Sequence, residues 1–443
     1  MKKNDIVTGR CESYTFDGNG VVKINGFPLF VKGLMLQEEA EIIVTMVKKT
    51  YGYGKLHKLI TASNERIEPR CPIAAQCGGC QLQHMSYSHQ KTFKKQQVEA
   101  VMRRIGGITT PVDDILGMCE PWHYRNKAQI PFGEDHGSLI SGFYRIHSHS
   151  IIDTDQCLIQ HPLMNDILKT VKSTLKENGG GADIRHLLIK FAASTNEAMV
   201  VFIVTKKQAF NHENMIANLT TQFPQIKSIL ININTRNDNV ILGEQEILLY
   251  GRPYIVDRLI NNTYQIAMKS FYQVNPAQTE VLYQTACDFA QLTGKENVID
   301  LYCGVGTISL TLAKYARKVT GIEIVPEAIE NAKANAQRNQ CNNVDFICAD
   351  VNDYAKQLAA QQESANVIVV DPPRKGCSIS VLENIAEMHP QRIVYISCNP
   401  ATQARDLKIL AQHGYETVRI QPVDMFAQTY GIEVIALLTL RKS

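Results

Sequence analysis

Tyr395-Ile396-Ser397-Cys398-Asn399-Pro400 is a short apolar run that ends on a cysteine and is followed at once by a turn-forming Asn-Pro pair. A strand stopped by Asn-Pro leaves Cys398 at its carboxyl end. In an open parallel sheet that edge is where ligands bind, because the loops leaving the strands line the crevice above them. Cys398 is therefore a candidate nucleophile, against the alternative of a buried core thiol. Two further stretches end apolar runs in the same manner, Asp371-Pro372-Pro373-Arg374 and Asp300-Leu301-Tyr302-Cys303-Gly304-Val305-Gly306.

Working outward, the texture from about Leu259 is one of helices alternating with short, fully apolar strands, the pattern of a doubly wound parallel sheet in an α/β fold. Strands are expected at 297–302, 318–323, 344–348, 367–371 and 392–397, with a closing antiparallel pair at 416–420 and 434–438. Gly304 and Gly306 follow a strand and open a helix, so backbone can approach a ligand there. Glu323, at the end of the next strand, stands where an acidic side chain accepts hydrogen bonds from ribose hydroxyls. A dinucleotide would want a third glycine for its pyrophosphate, and Thr307-Ile308-Ser309-Leu310 stands in its place, which favours S-adenosylmethionine. Asp350 ends the following strand and is a candidate for the adenine amine. Helix capping is the alternative for each of these carboxylates.

The chain has 443 residues, 44% hydrophobic and 20% charged, with a net charge of +3, which describes an ordinary globular protein of two or three domains. No uncharged apolar run approaches a membrane span, and the first residues lack the apolar stretch of a signal peptide, so a cytoplasmic location without membrane association is expected. In that compartment twelve cysteines point to metal, catalysis or core rather than to disulfides.

Residues 1–62 read as a small barrel of short strands, at 21–24, 29–31 and 41–47, running into Lys48, Lys49, Tyr51, Tyr53, Lys55 and Lys58. Cations for phosphates and rings for bases suit single-stranded RNA, although a solvated charged face reads the same. Residues 63–262 read as an α+β domain with a helical linker at about 88–120. The domain opens on Cys71-Pro72-Ile73-Ala74-Ala75-Gln76-Cys77-Gly78-Gly79-Cys80, with Cys157 the candidate fourth thiol. Four thiolates suit zinc or a [4Fe-4S] cluster. One compact trio with a distant fourth member looks more like iron–sulfur, and a metal-free surface loop is the alternative. Residues 263–443 form the third expected domain.

Uracil C5 is too weak a nucleophile to take a methyl group directly. A thiolate must first add to C6, and a base must later remove the C5 proton, so the reaction needs one cysteine and one base. A free thiol is only a few per cent ionised near neutrality, so Cys398 should have a positive or hydrogen-bonding neighbour.

The N-terminal layout resembles the TRAM domain, an OB-like RNA-binding barrel. Together DLYCGVGTISL, DPPRKG, YISCNP and the terminal Glu433 resemble the 23S rRNA (uracil-C5)-methyltransferases that carry a TRAM domain and an iron–sulfur cluster. That resemblance covers nearly the whole chain. It implies a Rossmann-like class I methyltransferase domain, a central iron–sulfur domain, Cys398 as nucleophile and Glu433 as base. It also implies Gln273, Tyr302, Glu323 and Asp371 lining the cofactor and target-base site, and a monomer acting on single-stranded or looped 23S rRNA. One departure stands out: the family often shows Phe-Pro-x-Thr-x-His-x-Glu before the base, where this chain reads Phe426-Ala427-Gln428-Thr429-Tyr430-Gly431-Ile432-Glu433. What orients Glu433 is thereby left open. A tRNA T-loop uracil methyltransferase and a non-catalytic RNA-binding iron–sulfur protein are the competing expectations.

Overall fold

The computed structural model describes residues 1–178, 180–360 and 365–441. These pack as two units, one made of Met1–Gln97, Phe143–Ile152 and Phe426–Gly431, the other of Val98–Gly142, Asp153–Met425 and the residues from Ile432 onward.

In the first unit, β1 (Ile6–Tyr14), β2 (Gly20–Ile24), β3 (Phe27–Lys32), β4 (Glu39–Val47) and β5 (Gly52–Thr61) close into a barrel in the order β1-β2-β3-β5-β4. Alternation builds it: Ala40, Ile42 and Val44 of β4 face inward with Cys11, Val22, Leu29 and Val31, all buried. Closure leaves no strand edge exposed. Of the lysine- and tyrosine-rich run read from sequence as a flank, Tyr53, Lys55 and Lys58 lie on β5, which is parallel to β3 and antiparallel to β4. It escaped notice because glycine takes inward positions there; a Cβ on Gly54 would lie 2.3 Å from a methyl of Ile42. The cysteine loop and α1 (Tyr87–Val101) follow.

The second unit contains β6 (Lys127–Asp135), most of β7 (Ser138–Tyr144), the last residue of β8 (Ile151–Asp153), α2 (Pro162–Glu177), β9 (Ile184–Ala192), β10 (Glu197–Val204), α3 (His212–Gln222), β11 (Ile226–Ile233) and β12 (Gln245–Gly251). Its first sheet runs β12-β11-β10-β9-β6-β7-β8, and β13 (Tyr254–Leu259) pairs with β14 (Asn262–Ala267) as a separate hairpin. Then come α4 (Pro276–Ala290), β15 (Asn297–Leu301), α5 (Thr307–Ala313), β16 (Lys318–Glu323), α6 (Pro326–Arg338), β17 (Val344–Cys348) and α7 (Val351–Ala360). The remaining elements are β18 (Val367–Val370), α8 (Ile379–Glu387), β19 (Arg392–Ser397), α9 (Pro400–Gln412), β20 (Tyr415–Val423) and β21 (Glu433–Leu440).

These last strands form the second sheet, in the order β17-β16-β15-β18-β19-β21-β20. The five strands from β17 to β19 are parallel, and β21 runs antiparallel to both β19 and β20. Every residue of β18 is buried, as expected for a central parallel strand covered on both faces. Asn275 and Asn399 cap α4 and α9 with their side chains, each followed by proline at the first helical position. The outer edge of β20 is covered by the segment after α1, where Asp113 and Leu116 donate their N–H groups to Ile420 and Pro422 at 2.9 and 3.1 Å.

The turn from β15 to α5 depends on Gly306, whose φ is +81° and whose absent Cβ would lie 2.6 Å from the Phe346 ring. Gly304 also has positive φ, but a Cβ there meets nothing within 4 Å. Gly306→Ala should therefore destabilise the protein by about 2–4 kcal/mol and Gly304→Ala by about 1 kcal/mol. Thermal unfolding of the two variants side by side checks the difference.

Candidate active site

The chain continues from β15 toward β16 and β17 on one side, while β18 and β19 lie on the other. The carboxyl ends of β15 and β18 therefore flank the crevice that opens where strand order reverses. Tyr302 and Gly304 leave β15 there, Asp371 leaves β18, and Cys398 leaves β19. The ladder between β19 and β21 ends with Ser397 opposite Val434, so the next residue on each strand is Cys398 and Glu433. Three residues expected from the sequence to act together thus come to one sheet edge.

The Asp-Pro-Pro-Arg loop is fixed in place. Asn399 Nδ2 and Thr402 Oγ1 both donate to the Arg374 carbonyl, at 2.9 and 3.2 Å. Beyond the tight turn at Gly376, the N–H of Cys377 donates to Asp406 Oδ2 at 2.9 Å, and Arg405 Nη2 donates to the carbonyls of Lys375 and Cys377 at 3.1 and 3.0 Å. Asp406 is fully buried and also takes the Tyr395 hydroxyl at 2.5 Å. The loop so held brings the Arg374 guanidinium close enough to the Cys398 thiol to favour its ionised form. This is the positive neighbour expected for Cys398. The residue itself was overlooked in the sequence, although its place in Asp-Pro-Pro-Arg was the available signal.

Charge dominates this edge. Burial raises the Cys398 thiol above its ordinary value and the nearby Glu433 carboxylate adds to the rise, while the Arg374 cation and its hydrogen bond oppose it. Glu433 is 5% exposed; burial, reinforced by Asp371, holds its carboxyl well above the usual range against the pull of Arg374. Asp371 opens part of its surface to the crevice, yet protein surrounds it closely enough that desolvation pushes it up to about 7. Fully buried Asp300 is also raised to about 7 by desolvation, against a hydrogen bond from Ser309.

The neighbouring loop leaves its backbone open to a ligand at Gly304. Tyr302, Gly304 and Gly306 all take left-handed backbone conformations, and the space beside Gly304 is open. Glu323 accepts the Gly304 N–H at 3.3 Å through one oxygen and those of Ile324 and Val325 at 2.8 and 3.0 Å through the other. Ile324 and Val325 expose apolar surface beside that carboxylate. Asp350 caps α7, accepting from Asn352 and Asp353 at 2.8 and 3.3 Å, the alternative weighed for it from sequence. Gln273 lies on a segment clamped from β6 and β9: Asn126 Nδ2 donates to its carbonyl at 3.1 Å, and buried Lys190 bonds the carbonyls of Ala267 and Ser270, both at 2.8 Å.

The cysteine loop belongs to the first unit and Cys157 to the second. Cys77 accepts the Gly79 N–H at 3.4 Å, and its thiol is raised by burial, an effect to which Cys71 adds. Soft thiol donors and an N–H···S bond suit an iron–sulfur or zinc site. Yet among the described residues no group of three or more His, Cys, Asp or Glu is gathered to hold a metal ion. The loop presents the chemistry of such a site, and the expected ligand set of Cys71, Cys77, Cys80 and Cys157 is not shown by the described side chains. Cys157 is tied to α2, where Asn165 bonds both its N–H and its carbonyl, at 3.0 and 3.2 Å.

On the barrel, the register of β3 against β5 sets Phe30 beside Tyr53 and Lys32 beside Lys55. Tyr51 stacks on Phe30 with ring centroids 5.5 Å apart. Rings and cations thus share one face, the pairing read from sequence as suited to RNA. Among the described residues no helix is long and apolar enough to cross a membrane.

Comparison with known proteins agrees with this chemistry. Residues 86–441 match the family model of tRNA (uracil-5-)-methyltransferases. An uncharacterised RNA methyltransferase of Halalkalibacterium halodurans is 47% identical over 100% of this chain and 98% of its own, and one of Listeria innocua is 44% identical over 100% and 99%. Among solved structures, the Pyrococcus abyssi tRNA (uracil-54, C5)-methyltransferase in complex with S-adenosyl-L-homocysteine is similar with a TM-score of 0.79 and 26% identity, covering 98% of this chain and 99% of that one. The chain belongs to the tRNA (uracil-5-)-methyltransferase family, whose chemistry is S-adenosylmethionine-dependent methylation of uracil C5 in RNA.

Proposed function

We propose that this enzyme methylates C5 of uridine in 23S rRNA through a covalent bond between Cys398 and C6 of the base. The observation that carries the mechanism is the register of β19 against β21, which sets Cys398 and Glu433 at one sheet edge, with the Arg374 cation acting on the thiol. Arg374 favours the thiolate, which adds to C6 and pushes an electron pair onto the C4 carbonyl oxygen. S-adenosylmethionine supplies the methyl group from its sulfonium, and loss of the C–S bond leaves S-adenosylhomocysteine. The C5 carbon of the adduct takes that methyl. Glu433, ionised, then removes the C5 proton, the C5–C6 double bond reforms, and the thiolate of Cys398 leaves. Asp371 grips the polar edge of the base, and Gln273, Tyr302, Gly304, Glu323 and Asp350 line the cofactor site.

The 23S rRNA assignment rests on the sequence resemblance, which includes the barrel and the cysteine loop. A tRNA target is the second reading, favoured by the Pyrococcus abyssi structure, whose similarity spans the barrel as well. The aromatic and cationic face of the barrel, the TRAM-like element, binds the RNA. Cys71, Cys77, Cys80 and Cys157 are proposed as cluster ligands, the last on sequence grounds alone, and the cluster takes no part in methyl transfer.

Incubation with labelled S-adenosylmethionine and either 23S rRNA or tRNA should label the former; labelling of tRNA alone would replace the substrate. Cys398→Ala should abolish methylation, and RNA carrying 5-fluorouridine should remain bound to the unmodified enzyme through Cys398, because fluorine replaces the proton that Glu433 must remove. Since the thiol is raised and only the thiolate adds, adduct formation should quicken as pH rises from neutrality. Arg374→Leu, at saturating RNA, should move that profile to still higher pH and slow the neutral reaction about tenfold for each unit moved. Protein purified without oxygen should contain iron and acid-labile sulfide, and Cys77→Ser should remove both.

A further inference from the structure

The segment that leads into Glu433 lacks the proline and histidine of the family pattern, yet it is held by an unusually complete set of buried bonds. Gln428 sits in the left-handed backbone region, φ 69°, without being glycine, a conformation that surrounding contacts must enforce. Gln90 of α1 supplies them. Its Oε1 accepts the Gln428 N–H at 2.9 Å and its Nε2 donates to Gln428 Oε1 at 3.0 Å, so the two amides pair reciprocally. Gln90 is fully buried and Gln428 is 2% exposed. The same Nε2 lies near the carbonyls of Leu82 and Met85 at 3.2 and 3.1 Å, which ties the pair to the loop after Cys80. The N–H groups of Gln81 and Leu82 both donate to the Gln428 carbonyl at 3.0 Å, and one helical turn along α1 the ammonium of buried Lys94 donates to the Phe426 carbonyl at 3.1 Å. Thr429 Oγ1 closes the turn, donating to the Phe426 carbonyl at 2.8 Å and accepting the Gly431 N–H at 3.1 Å. Ile432 and Glu433 follow at once in the chain.

We propose that Gln90, assisted by Lys94, is a positioning residue for the general base: it fixes the backbone of residues 426–431 and thereby sets where Glu433 stands. The inference rests on the assignment of Glu433 as base. A buried amide pair of this kind is costly to break, because truncating one partner leaves donors and acceptors unsatisfied. A base displaced by about 1 Å loses up to about 100-fold in rate. The loss has a particular signature. Addition of Cys398 and methyl transfer precede proton removal, so a misplaced base stalls the reaction after the covalent bond has formed.

The test follows the covalent RNA–protein complex on denaturing gels, with labelled S-adenosylmethionine and unmodified uridine RNA, in wild type, Glu433→Gln, Gln90→Leu, Gln90→Glu and Lys94→Met. Gln90→Glu is isosteric: it still accepts the Gln428 N–H but no longer donates to Gln428 Oε1, so it carries the test if Gln90→Leu does not fold. The expected result is a labelled adduct that accumulates in Glu433→Gln, nearly as much in Gln90→Leu, and to a smaller extent in Gln90→Glu and Lys94→Met. Turnover should fall about 10- to 100-fold in Gln90→Leu, with the KM for S-adenosylmethionine unchanged. If Glu433→Gln accumulates adduct while the Gln90 variants turn over normally, or slow without accumulating it, the positioning role is wrong and the base assignment survives. If Glu433→Gln itself accumulates none, the base assignment falls and this inference with it.

Discussion

Because β21 lies antiparallel between β19 and β20, its first residue stands at the edge where the parallel strands end. An all-parallel neighbour would have put its carboxyl end there and its amino end far away. The reversal lets a residue that opens one strand meet a residue that closes another, and Glu433 and Cys398 are that pair. Backbone pairing from Arg392 opposite Thr439 to Ser397 opposite Val434 fixes the register of that juxtaposition. The loop from β18 then has only to deliver Arg374, and the buried Asp406 with Arg405 and Tyr395 holds it there.

The electrostatics follow from that crowding. Burial disfavours Asp371, Glu433 and Cys398 as anions, Asp371 adds to the rise at the other two and Glu433 to that at Cys398, and Arg374 is the cation that opposes the rise at both Cys398 and Glu433. A sulfonium entering the site adds a second positive charge, which favours the ionised forms that the reaction requires. Cofactor binding and acid–base readiness are thus linked by charge alone. Fully buried Asp300 is raised in the same direction by desolvation, and the charge of Asp371 adds to that rise.

Much of this was legible in the sequence because two of the proposed site residues, Cys398 and Asp371, sit where a strand stops. Asn-Pro after Cys398 and Pro-Pro after Asp371 mark those stops directly, and the alternation of helices with apolar strands marks the sheet. What was illegible has physical causes. The first half of β5 lacks an apolar face because the barrel is too narrow at Gly52 and Gly54 for side chains, and Leu56 and Leu59 join the core only further along the strand. Asp350 offers the same carboxylate to a ligand or to the start of α7, and sequence cannot choose between them. Arg374 was visible as a residue but not as a partner, since its contact to Cys398 depends on how Asn399 and Thr402 fasten the loop. The pairing of Gln90 with Gln428 joins positions 338 residues apart through two neutral amides, for which no local pattern exists. The cysteine trio is the reverse case, a pattern plain in sequence whose described side chains do not gather into a ligand set.

The placing of β21 also constrains how the protein is made. β20 precedes β21 in the chain but cannot pair with β19, because the slot between them belongs to the later strand. During vectorial synthesis the sheet therefore emerges with that slot empty, and β19 carries an unpaired edge until β21 has left the ribosome. The segment around Asp113 and Leu116 already lies earlier in the chain to cover the far side of β20, so the exposed template is confined to one gap. Filling it completes the sheet and brings Glu433, the proposed proton acceptor, to its edge in a single event, so a nascent chain with an open fold also lacks that residue in place.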